Sequence, residues 1–92
     1  MDHHEMAIKI TAQFYAARDA AKALLEDRYE LRTKQYGAII QGVSKDYRLD
    51  TVAATLKIAQ DCHMEGGALM LLLAAAAEIL EPSAQAPVGS PK

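Results

Sequence analysis

From Met6 onward the apolar residues return every three or four positions: Met6, Ile10, Phe14, Ala17, Ala21 and Leu25, then Tyr29, Tyr36, Ile39 and Val43. Steps of that size put side chains on one face of an α-helix. No proline interrupts the run, so the pattern predicts one helix over about 4–44, roughly 60 Å long at 1.5 Å per residue. Asp2, with Glu5 three residues later, predicts its N-terminal cap. Gly37 and Gly42 each weaken such a helix by about 1 kcal/mol. A break near Gly37 is the alternative.

Residues 44–50, Ser-Lys-Asp-Tyr-Arg-Leu-Asp, gather turn formers, and apolar periodicity resumes after them. The turn is placed at 45–50, with Asp50 or Thr51 capping the next helix. A connection this short makes the flanking helices antiparallel neighbours. The second helix is expected over about 51–81. Its residues Val52, Leu56, Ala59, His63, Gly66, Met70, Leu73, Ala77 and Leu80 alternate steps of four and three, a heptad seam. Ile58, Cys62, Leu69, Leu72, Ala76 and Ile79 form a second row beside it. Between Ala68 and Leu80 the only charge is Glu78, and a helix apolar all round must be covered all round.

The pattern therefore predicts an all-α fold with a single helical domain over 1–81 and a flexible Pro/Ser/Ala tail over 82–92. The expected architecture is a long antiparallel hairpin that dimerises into a four-helix bundle, because one hairpin alone leaves the C-terminal leucines wet. Its dimer interface is expected at Leu56, Leu69, Met70, Leu72, Leu73, Ile79 and Leu80. The alternative is a compact three-helix bundle, in which the adjacent Gly66 and Gly67 break the second helix.

Composition narrows the function classes. The chain has 92 residues, of which 51% are apolar and 24% charged. That is enough for one small domain and too apolar for a disordered chain. Ten Lys and Arg against twelve Asp and Glu give a formal charge of −2, which argues against a nucleic-acid binder. Alanine supplies 18 residues, which fits a helical chain and a GC-rich bacterial or bacteriophage genome. The longest uncharged run, Gly66 to Ala77, is twelve residues, short of the roughly 20 that a membrane span needs. The first residues carry no signal-peptide pattern. The single cysteine, Cys62, excludes a disulfide framework within the chain and is read as a small buried hydrophobe. These features place the chain in the cytoplasm, away from membranes.

Candidate chemistry is sparse. His3 and His4 are neighbours near the start, where a helix frays, and are expected to be solvated. His63 falls on the heptad seam, and the expected reading is a core histidine. A small metal- or ligand-binding bundle using His63 is an alternative, although Asp61 and Glu65 share a face that His63 does not. Cys62 and His63 diverge on a helix, Ser44 has no histidine near it, and no phosphate-binding glycine loop is present, so no enzyme and no cofactor are expected. A helix-turn-helix reading fails because residues 68–80 offer a base edge no Arg, Lys, Asn or Gln. The remaining feature is a set of tyrosines and arginines. Tyr15, Tyr29 and Tyr36 are separated by 14 and 7 and share one heptad line on an unbroken helix, with Arg28 and Arg32 adjoining. Tyr and Arg combine apolar area with hydrogen-bonding tips and are enriched at binding hot spots. The expected function is a small non-enzymatic interaction module, a regulatory adaptor or inhibitor that occludes a partner protein and also pairs with a second copy of itself. A local basic patch at Arg28, Arg32, Lys34, Lys45 and Arg48 makes a nucleic-acid-associated regulator the other alternative.

Overall fold

The computed structural model describes residues 3–83. Asp2 and the expected tail from residue 84 onward lie outside the described residues, as do the side chains of His3 and His4. Within that span the chain is all-α. It forms α1 (His3–Leu25), a 3-10 turn (Glu26–Arg28), α2 (Tyr29–Tyr47), α3 (Thr51–Asp61) and α4 (Gly66–Leu80). The expected hairpin of two long helices is corrected: the single chain forms a compact bundle, as in the alternative, but with four helices and a break at residues 62–65, just before Gly66-Gly67. The expected helix over 4–44 is divided as well, at Glu26–Arg28 and not near Gly37.

α4 is the hub. It packs against α1, α2 and α3, while α1 and α2 scarcely touch each other. Leu71, Leu72 and the four alanines Ala74, Ala75, Ala76 and Ala77 are all buried. Successive helical residues are about 100° apart, so burial of four in a row means cover around most of the circumference. Alanine suits this position because a methyl group lets neighbouring helices approach closely. Phe14 from α1, Ile40 from α2, and Ala54 and Ile58 from α3 close on Leu72 and Ala75 to Ala77. A smaller cluster joins Ala21, Tyr29 and Ala74, flanked by Leu25 and Met70. The cover that the sequence pattern demanded for this apolar helix thus comes from the same chain.

The three connections have different origins. Between α2 and α3, Arg48 sits in the left-handed region (φ 55°) as the C-cap. Its N–H and that of Leu49 both donate to the Ser44 carbonyl. Asp50 caps α3, its Oδ1 accepting from the Ala53 N–H at 2.7 Å. The turn expected at 45–50 is therefore present, with α2 running to Tyr47. Between α3 and α4 the chain ends α3 with a Schellman-type turn. His63 takes the left-handed position (φ 49°) that glycine usually fills, and Met64 N–H donates back to the Ala59 carbonyl. Gly66 (φ 62°) then admits the reversal into α4.

The bend at Glu26–Arg28 contains neither glycine nor proline. Glu26 itself adopts φ 51°, at a cost of about 1–2 kcal/mol for a residue with a Cβ. Along a straight helix Phe14 and Ile40 would stand about 39 Å apart, too far for both to close on the 15-residue α4. The bend brings the two into one cluster around Leu72. It also corrects the shared tyrosine line, because Tyr15 and Tyr29 now stand on separate helices.

Two further expectations are corrected at α3 and α4. Cys62 is exposed and not a buried hydrophobe. His63 is exposed in the connection and not on a helical seam, because the helix that would carry the seam stops at Asp61.

Candidate functional site

α2 turns Tyr29, Thr33, Gly37 and Ile40 inward. Residues 31, 35, 38 and 42 fall on the opposite side by helical phase, with steps of four, three and four. They are Leu31, Gln35, Ala38 and Gly42, and all are exposed. Ile39 lies at the edge of this row. Leu31 keeps 62% and Ile39 54% of its surface open. The helix is thus amphipathic inward and carries a second, thinner apolar row outward.

Cations border that row. By helical phase Arg32 falls along one edge and Lys34 and Lys45 along the other, with Arg28 just before and Arg48 just after the helix. All five are exposed. Lys34 meets Glu30 at 3.5 Å, a solvent-screened i,i+4 pair. Among the described residues Arg28, Arg32, Lys45 and Arg48 have no carboxylate within ion-pair distance. The five cations between residues 26 and 50 are matched by Glu26, Asp27, Glu30, Asp46 and Asp50, so α2 with its flanks is neutral.

The structure separates the tyrosines from this surface. Tyr29 is buried, and Tyr15 and Tyr36 are half-buried against the main core. The Arg18 guanidinium lies 5.1 Å from the Tyr15 ring centre and the Lys22 ammonium 5.7 Å from that of Tyr29. Of the expected binding stripe, only Arg28 and Arg32 stand free at the surface. The residues expected at a dimer interface are also dispersed. Leu72, 1% exposed, is core of the single chain. Leu69, Leu73 and Ile79 pack on the main cluster and Met70 on the smaller one. Leu56 and Leu80 remain exposed. The periodicity reading misses Leu31 and puts Ile39 on the inward row; the signal for Leu31 is the row 31, 35, 38 and 42, out of phase with Tyr29, Tyr36 and Val43.

A polar clasp joins three helices beside this face. Glu78 on α4 accepts from the Tyr29 hydroxyl (Oε2, 2.6 Å), from the Ser83 N–H (Oε1, 2.9 Å) and from the Ser83 hydroxyl. Arg18 Nη1 stands 4.0 Å from Glu78 Oε2 and donates to the Glu81 carbonyl. Burial alone raises the Glu78 carboxyl, but the hydrogen bonds from Ser83 and Tyr29 and the Arg18 charge outweigh it, so its pKa lies below the ordinary value. Burial, and then the Glu78 hydrogen bond and charge, push the Tyr29 phenol above the usual tyrosine range. A groove of about 610 Å³ runs past this clasp between α2 and α4, lined by Tyr29, Thr33, Gly37, Ala75, Glu78 and Ile79. Among the described residues no buried side-chain polar atom lacks a partner, so the groove's polar floor is already satisfied. Nor do those residues bring together three or more His, Cys, Asp or Glu side chains able to hold a metal ion, and no helix is long and apolar enough to cross a membrane.

Comparison with known proteins returns no matching family model, no matching curated protein and no matching solved structure.

Proposed function

We propose that the chain is a small non-enzymatic interaction module, a regulatory adaptor or inhibitor, that lays the outward face of α2 on a partner protein and covers that partner's working surface. The observation that carries this reading is the exposure of Leu31 and Ile39 on a helix that buries Tyr29 and Ile40 on its other side. Covering a large aliphatic side chain is worth about 1.5–3 kcal/mol, and α2 leaves that gain unused. Free arginines at one end of the row add polar, orienting contacts of the kind enriched at interfaces. The helix beneath is held by core packing and by Tyr29, so the face is rigid before contact, which lowers the ordering cost of binding.

The paired substitution Leu31→Ser with Ile39→Ser tests the reading. Both positions point to solvent, so far-UV helicity should persist and stability should move by no more than about 1 kcal/mol. Capture of the partner from the source cells should be lost. Capture equal to wild type rejects α2 as the binding face.

A nucleic-acid-associated regulator is the second reading, favoured by the five exposed cations on and beside α2. The side chains between them weigh against it. A nucleic-acid face interleaves its cations with hydrogen-bonding or stacking groups, whereas here Gln35 supplies one amide and Leu31, Ala38 and Ile39 are the other side chains of the face. Affinity for duplex DNA that falls steeply with salt, and survives the Leu31→Ser/Ile39→Ser pair, would favour this reading over the first.

A further inference from the structure

We draw no further inference here: the strongest candidate, the open groove between α2 and α4 beside the Tyr29–Glu78 clasp, carries none because its polar floor is satisfied within the chain and nothing in the structure shows what covers its apolar wall.

Discussion

The Tyr29 hydroxyl donates to Glu78 Oε2 at 2.6 Å and so ties the first turn of α2 to the last turn of α4. The link spans 49 residues of sequence and stands immediately after the strained bend at Glu26. A hydrogen bond to a charged group contributes about 1.5–3 kcal/mol, and this one is half-shielded from solvent. Tyr29→Phe keeps the ring in its cluster with Ala21 and Ala74 and removes only the bond. Thermal unfolding of that variant should fall by an amount in this range, at about 4–8 °C for each kcal/mol in a domain of this size. An unchanged melting temperature would show the clasp contributes nothing to the net stability.

Acid should release the same clasp. The folded Glu78 carboxyl gives up its proton more readily than the unfolded one, because Ser83, Tyr29 and Arg18 all favour the anion. Its contribution is therefore complete above the ordinary carboxylate value of 4.5 and drains away as the pH falls through the lower folded value. Denaturant titrations from neutral pH down through this window should show wild type losing more stability than Glu78→Gln, with the two curves converging at the acid end. Parallel curves would remove Glu78 from the acid response.

The sequence marks each place where backbone chemistry is written locally, and misses the place where it is not. Asp50 is a strong cap residue and Gly66 a residue that tolerates positive φ, so the turn after α2 and the start of α4 are legible in one dimension. Leu25, Glu26 and Asp27 carry no such mark. The bend there is set by α1 and α2 both packing on α4, which brings Phe14 and Ile40 into one cluster through contacts far apart in sequence. Once the helix bends, Tyr15 and Tyr29 lose their common line, and the site shifts from the tyrosines to the outward row of α2. Glu78 was visible as the one charge in an apolar helix, but nothing local says that Tyr29, Arg18 and Ser83 receive it.

The bend makes a prediction of opposite sign to that of a continuous helix. Glycine in a helix interior costs about 0.5–1 kcal/mol relative to alanine. At φ 51° glycine instead relieves about 1–2 kcal/mol of left-handed strain, against a smaller entropy loss from the unfolded chain. Glu26→Gly should thus hold or raise stability by up to about 1 kcal/mol in urea titration, while Ala23→Gly on the exposed side of α1 should lower it. A loss at both positions would mean that residue 26 is helical.

The two glycines at the head of α4 should also respond oppositely. Gly66 has φ 62°, where an alanine is strained whatever the space around it. Gly66→Ala is expected to destabilise by about 1 kcal/mol. Gly67 carries no positive φ and its built Cβ meets nothing within 4 Å, so Gly67→Ala should stabilise by about 0.4–1 kcal/mol. Chemical denaturation of the two single variants checks the pair. Equal effects would contradict the turn geometry described between α3 and α4.

Gly42 separates stability from binding. It lies inside α2, exposed, with open space where a methyl group would go. Gly42→Ala should stabilise the isolated chain by about 0.5–1 kcal/mol, because alanine loses less conformational freedom in a helix. If the partner crosses the face at this point, the added methyl holds it away, and the partner should bind severalfold more weakly. Gly67→Ala is the matched control, since it too should raise the melting temperature but lies on α4, away from the face. The two variants together distinguish a glycine retained for contact from one that the fold merely tolerates. A Gly42→Ala chain that melts higher and captures the partner as well as wild type would move the crossing point along α2 toward Leu31.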